Sequence, residues 1–347
     1  MKINVVAPSL LKSCIPIAMK TKRMLYISGP PGIGKSAMVA QAAKTYNMKL
    51  IDIRLSQLDS CDLNGFPTIG DQKATYTPMA MFPLETDPLP IDENGKEMAG
   101  WFLFMDEFNA GERPTQKAAY KVSLDKMHGD HKIHNRCLII GAGNREEDNA
   151  LVEEMGSATQ TRMIHLELVS VPPEWLIYAN KMKFDYRVTT YLQQNPMKLN
   201  TFDPNVETQE HTFPCERTWH FVSDLLKHCE IDSPEAKALI AGAIGSGPAL
   251  EFLNWTAVFD KLPSIEEITT SPTTALLPEE TGALFSLAGM LSSHATLTNL
   301  DALVTYMGRT PLEYQVVCFK YMNARDSSLF LQPILATWLI EHGERIF

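Results

Sequence analysis

The stretch Met24-Leu25-Tyr26-Ile27-Ser28-Gly29-Pro30-Pro31-Gly32-Ile33-Gly34-Lys35-Ser36-Ala37-Met38 decides how this chain is read. Met24 to Ile27 are apolar or aromatic and rich in strand formers, and they run straight into a Gly/Pro turn that ends in Lys-Ser. The pattern predicts a strand, a phosphate-binding loop and a helix, in that order. Glycines at 29, 32 and 34 let the backbone turn tightly so that successive N–H groups face phosphate oxygens, and the next helix offers them its positive end. Lys35 is then placed to reach β- and γ-phosphates, and Ser36 to give its hydroxyl to Mg²⁺, which takes few protein ligands. Gly29, Pro30, Pro31, Gly32, Ile33, Gly34, Lys35, Ser36 and Ala37 are the candidate nucleotide contacts. The competing reading is an ordinary turn, and the strand before it and helix after it argue against that.

Outward from this stretch, Ser9 can cap a helix through about Lys20, with Leu10, Leu11, Cys14, Ile15 and Ala18 spaced by threes and fours. Such a helix would partly enclose an adenine ring. Downstream, Ala37 to Tyr46 continues as a helix and Lys49 to Arg54 reads as a second strand, which completes a parallel α/β unit. Leu55 to Gly100 reads as irregular and proline-rich, and a tract of that length inside a compact domain is more often functional than accidental.

Trp101-Phe102-Leu103-Phe104-Met105-Asp106-Glu107 predicts a strand buried on both faces that delivers two carboxylates at its C-terminal end, where open α/β sheets bind ligands. Asp106 would hold Mg²⁺, and Glu107 would accept a proton from the water attacking the γ-phosphate. After a helix from Pro114, Cys137 to Asn144 gives a fourth strand ending in an amide. Asn144 either orients that water and the γ-phosphate or simply forms a turn after Gly143. His128, His131, His134 and Cys137 stand at three-residue steps, but a Gly/Asp/Asn-rich loop does not make such steps converge on a metal. Leu151 to Arg162 leads helically into a fifth strand, Met163 to Leu168. Arg162 can reach a neighbouring subunit's γ-phosphate or answer its own helix dipole.

Composition narrows the class. The 347 residues, 45% hydrophobic, suffice for two or three domains. Acidic residues outnumber basic ones, 41 to 31, and the net charge of −10 disfavours nucleic acid and anionic membrane. Six scattered cysteines without a CxxC pair suit reduced thiols and a cytoplasmic setting, and no apolar run has the ~18 residues of a membrane span.

Taken together, Gly29 to Ser36, Leu103 to Glu107, Ala142 to Asn144, and Arg162 before a strand resemble an AAA+ ATPase module in order and spacing over about residues 5–250. Asp62-Leu63-Asn64-Gly65 and the irregular tract after it resemble the helix-2 insertion of the MoxR-like branch. The resemblance implies ATP and Mg²⁺ as cofactors, Walker A function for Lys35 and Ser36, and Walker B function for Asp106 and Glu107. It also implies sensor 1 at Asn144, a trans-acting arginine finger at Arg162 and sensor 2 at Arg217, which opens a helix through Lys227. Met163 stands where the family often has Phe, and Glu216 beside Arg217 offers that arginine another partner. Arg145 and Arg54 are rivals for the trans role.

The expected architecture is therefore α/β: a P-loop NTPase core with a five-stranded parallel sheet over residues 1–170 (insertion about 55–100), an α-helical lid over 171–250 and a helical C-terminal extension over 251–347. Helices are expected to start at Pro173 and Pro234, with Met197 to Phe213 a loop and Ala283 to Leu291 a buried helix. The expected activity is ATP hydrolysis at subunit interfaces of a homo-oligomeric, hexameric ring that remodels a protein client or a von Willebrand factor A-type partner. The alternatives are a nucleotide-gated scaffold, against which Glu107 speaks, and a nucleic-acid motor, which no basic or aromatic-interleaved stretch supports.

Overall fold

The computed structural model describes residues 3–69, 73–148, 155–205 and 211–342. The chain divides into two compact units, with the main break between Ser170 and Val171.

In chain order, the first unit holds β1 (Val5–Val6), α1 (Pro8–Thr21), β2 (Leu25–Ser28), α2 (Lys35–Thr45) and β3 (Met48–Arg54). These are followed by α3 (Ser60–Asn64), β4 (Phe66–Ile69), β5 (Ala74–Thr77), β6 (Gly100–Asp106), α4 (Arg113–Tyr120), β7 (Met127–His128) and β8 (His131–Lys132). The unit closes with β9 (Cys137–Gly143), α5 (Ser157–Gln160) and β10 (Ile164–Leu168). Six strands form one parallel sheet in the order β1-β10-β2-β9-β6-β3. Such a sheet must be covered on both faces, and it is. One face packs Leu25, Ile27, Phe102, Phe104, Leu138 and Ile140 against α1 and α2. The other packs Tyr26, Trp101, Leu103, Met105 and Ile139 against Phe108, Ala118, Ala119 and Val122. Alternation along each strand divides its residues between the two cores.

All five expected strands are present. The sixth, β1, is only two residues long, too short to carry any periodicity, and Val5 pairs with Glu167 and Val6 with Leu168. Helix α1 starts at Pro8, with Ala7 as its N-cap, so Ser9 sits in the first turn and does not cap it as expected. Proline is favoured there because its missing N–H would be an orphan anyway. The helix expected from Pro114 is α4, continued by a π turn over Lys121–Asp125.

The tract from 55 to 100 carries more order than its composition suggests. Asp59 and Asp62 cap α3 reciprocally, and β4 and β5 form an antiparallel hairpin with all eight residues exposed. A strand exposed on both faces leaves no apolar alternation to read. His128 fastens this tract to the β7–β8 hairpin. Its Nδ1 donates to Leu63 O (2.8 Å), its Nε2 accepts from Met79 N (2.9 Å), and its ring stacks on Phe82. Both ring nitrogens are thus committed to backbone partners.

The second unit is helical: α6 (Pro172–Lys181), α7 (Tyr186–Gln194), α8 (Glu216–Leu225), α9 (Pro234–Ile244) and α10 (Ser246–Thr256), then α11 (Ile265–Thr270), α12 (Thr281–His294), α13 (Leu300–Met307), α14 (Leu312–Arg325) and α15 (Pro333–His342). Two apolar clusters hold it, one around Tyr191, Trp219 and Phe252, the other around Leu287, Leu291, Phe319 and Met322. The expected division near residue 250 falls inside α10, whose Ala249 and Phe252 enter one cluster. Half-buried Arg325 crosses between early and late helices, donating to Asn180 Oδ1 (2.9 Å) and Phe184 O (2.6 Å). Burial pulls its guanidinium down to about 10.

Candidate functional site

The strand order explains how distant motifs meet. Strands β2, β9 and β6 are consecutive neighbours and run parallel, so Ser28, Gly143 and Asp106 end at one edge of the sheet. The turn after β2 is the glycine-proline loop, the residue after β9 is Asn144, and Glu107 follows β6. This is the edge at which open parallel sheets bind ligands.

Lys35 opens α2 behind Gly34, whose left-handed backbone (φ 95°) only glycine adopts without strain. Its buried ammonium donates to Gly29 O (2.7 Å), Pro30 O (3.0 Å) and Asn144 Oδ1 (3.1 Å). Lys35 and Asn144 are thereby brought together. Ser36, one residue on, donates to Asp106 Oδ2 (2.6 Å), while Asp106 Oδ1 accepts from the amide of Glu107 (2.9 Å). Gly29 has a separate reason to lack a side chain, because a Cβ there would lie 2.8 Å from Leu168 O at the end of β10. Ile33 is buried against the α1/α2 core, whereas Ala37 is exposed on α2.

Glu107 adopts a left-handed backbone (φ 54°), uncommon for a residue with a side chain and of the kind that clusters at functional sites. Its Oε2 accepts from the hydroxyl of Ser56, just beyond β3. Nothing in the sequence signals Ser56, since only the β3–β6 register sets it beside Glu107. In that register Arg54 lies opposite Asp106, and Asp52 shares its side of the strand. Burial and the Asp106 charge hold the Asp52 carboxyl above the usual carboxylate range, with Arg54 opposing.

The turn after Glu107 is fastened to β9 by two bonds, Phe108 N to Ala142 O (2.8 Å) and Asn109 Nδ2 to Asn144 O (2.8 Å). A cavity of about 450 Å³ opens beside the cradle, lined by Tyr26, Asn109, Asn144, Arg145, His165 and Glu167.

The candidate arginines differ in their surroundings. Arg145 is committed at home, with Nη2 on Asp148 Oδ1 (2.6 Å) and Nη1 on Glu147 (3.2 Å) and Glu167 (3.3 Å). Its hydrogen bond to Asp148 is the main reason its guanidinium lies above its usual range. Arg162 is exposed and comes two residues before Ile164, which pairs with Leu25. It therefore stands at the edge where the strands begin, opposite the cradle. The approach to it over 151–154 lies outside the described residues, and α5 supplies the last helical turn. Arg217 belongs to the second unit, exposed in the first turn of α8, and neighbouring Glu216 accepts from Asn200 Nδ2 (2.8 Å).

Ser36 Oγ and Asp106 Oδ2 are two hard oxygen donors side by side at the mouth of the cradle, which fits a cation that takes one or two protein ligands. Among the described residues no cluster of three or more His, Cys, Asp or Glu could hold a metal by itself.

Residues 25–163 match the sequence model of the ATPase family associated with various cellular activities (AAA). No curated protein sequence matches the chain. Among solved structures, a putative ATPase from Cytophaga hutchinsonii is 14% identical over 99% of this chain and 91% of its own, with a TM-score of 0.36. A mutant of RuvB from Thermotoga maritima is 15% identical over 79% of this chain and 80% of its own (TM-score 0.41). NtrX of Brucella abortus in complex with ATP is 13% identical over 97% of this chain and 67% of its own (TM-score 0.40). Likenesses this remote carry no function across.

Proposed function

We propose that the segment matching the AAA family binds and hydrolyses ATP, and that the chain works as a MoxR-like motor, assembled as a homo-oligomeric ring, on a protein partner. One observation carries this reading: Lys35 reaches Asn144 while Ser36 reaches Asp106, so residues from three separate motifs converge on one loop at the ligand-binding edge of the sheet.

In this mechanism the amides of the cradle and the Lys35 ammonium take the β- and γ-phosphates. Ser36 and Asp106 would hold Mg²⁺, which when bound offsets the charge on the phosphate oxygens. Glu107 accepts the proton of the attacking water as the bond to the γ-phosphorus forms and ADP leaves. The Asn144 amide orients that water or the γ-phosphate. Arg162 lies exposed away from its own cradle, which suits a role at the γ-phosphate of a neighbouring subunit, where a planar guanidinium offsets transition-state charge. Arg145, tied to three carboxylates of its own unit, suits that role poorly. Arg217 is the proposed sensor 2.

A protein client, or a partner of the von Willebrand factor A type, accords with the net charge of −10 and with the exposed Phe66, Ile69 and Tyr76 of the β4–β5 hairpin. Among the described residues no helix is long and apolar enough to cross a membrane. Titration calorimetry with ATP tests the assignment. The Lys35→Ala chain is expected to lose at least about 100-fold in affinity, and unchanged affinity would remove the loop from the site. Binding without turnover in the unaltered chain would favour a nucleotide-gated scaffold instead.

A further inference from the structure

Asn109 is almost wholly buried, and among the described residues its Oδ1 has no hydrogen-bond partner. A buried unsatisfied acceptor is costly, and an apolar or smaller side chain would avoid the cost. What the residue does gain is the bond from Nδ2 to the main-chain oxygen of Asn144 (2.8 Å). The surroundings are shaped to admit it, since a Cβ on Gly143 would collide with both Asn109 Oδ1 and Tyr26 Oη. Gly143 is thus small because Asn109 occupies the place a side chain would take. The bond also closes a short loop of structure. Asn109 follows Glu107 by two residues, Phe108 N already holds Ala142 O, and the Asn144 side chain ends on the Lys35 ammonium.

We propose that Asn109 is a positioning residue which, through the Asn144 backbone, sets where the Asn144 amide stands relative to the γ-phosphate and to Glu107. This rests on the ATPase reading above. Its effect passes through the side chain it orients, by way of the bond from Asn109 Nδ2 to the main-chain oxygen of Asn144. Removing it leaves the phosphate cradle intact, so its loss is felt in turnover and not in affinity. Misplacement of an orienting group by about an ångström is enough to slow a reaction considerably.

The test is a double-mutant cycle on steady-state ATP hydrolysis, with ATP affinity read by calorimetry for every variant. Asn109→Ala is expected to lower kcat about tenfold or more while ATP affinity changes by less than about twofold. Asn144→Ala lowers kcat as well. In the Asn144→Ala background, Asn109→Ala is expected to cost nothing further, because the backbone bond then has no amide left to orient. Multiplying losses in the double variant would overturn the proposal and send the effect of Asn109 elsewhere. Gly143→Ala, whose Cβ would push on the Asn109 amide while leaving that residue in the chain, should reproduce the kcat loss of Asn109→Ala, and normal turnover there would count against the proposal. An unaltered chain that neither binds nor hydrolyses ATP would instead refute the underlying ATPase reading, an outcome separate from additivity in an active enzyme.

Discussion

Glu107 shows most clearly what a single residue does here. Its left-handed backbone costs of the order of 1–3 kcal/mol relative to relaxed geometry, and the turn accepts that cost while Asp106 Oδ1 and Ala142 O take the amides of Glu107 and Phe108. Glu107→Gln keeps the shape and removes the proposed base, so ATP should still bind while hydrolysis falls about 10²- to 10⁴-fold. Equal turnover in a phosphate-release assay would remove Glu107 from the mechanism. At this scale the sequence was informative wherever chemistry is local: Gly34, Lys35, Ser36, Asp106 and Glu107 announce themselves by their neighbours. It was silent on Ser56 and Asn109, whose significance arises only when strand register and a close glycine set them beside residues far along the chain.

Among the elements, the insertion between β3 and β6 is fixed to the β7–β8 hairpin by His128. Burial is the main force holding this imidazole below its usual value of 6.5, with the nearby charges of His131 and Lys121 adding to it and its hydrogen bond to Leu63 opposing. The folded protein therefore resists a proton that the unfolded chain accepts. That contribution to stability is complete above about pH 6.5 and is lost as pH falls below it, because the unfolded state then binds more protons. A thermal-melting series from about pH 8 to about pH 5 should show Tm falling with acidity, and more gently in His128→Gln. The variant should also start lower at the alkaline end, since bonds to Leu63 and Met79 are worth about 0.5–1.5 kcal/mol each. A variant with an unchanged slope would assign the acid sensitivity to other groups. The sequence disclosed the long elements and concealed the small ones. Trp101 to Met105 are buried throughout and read unmistakably as a strand, whereas β1 has two residues and β4 and β5 have no buried face. The spacing of His128 and its neighbours invited thoughts of a metal, yet what it encodes is a fastening between two hairpin-bearing segments.

For the molecule as a whole, the proposed site is complete only when a second copy supplies an arginine. Arg162 is available for this, being exposed at the edge of the sheet opposite the cradle. Subunits carrying Arg162→Ala have an intact base, and subunits carrying Glu107→Gln have an intact arginine. Each pure preparation should be nearly inactive, and mixing them should restore turnover at the interfaces where a good base meets a good arginine. Mixtures as inactive as their parents would leave Arg162 structural. Motif order alone suggests such an arrangement, and the mixing experiment is what tests it. The helical second unit was legible as helices, through Pro172, Pro234 and the apolar run in α12, but the join made by Arg325 depends on contacts that no local pattern contains.

The abutment of Gly29 on Leu168 has a mechanical corollary. The first residue of the phosphate loop rests against the last residue of β10, and that strand end is pinned from the other side by β1 through Val169 N and Val6 O (3.2 Å). Only Val169 and Ser170 separate it from Val171, where the second unit begins. Loop and strand end therefore share one close contact, so a side chain at position 29 would have to displace the end of β10 as well as the loop.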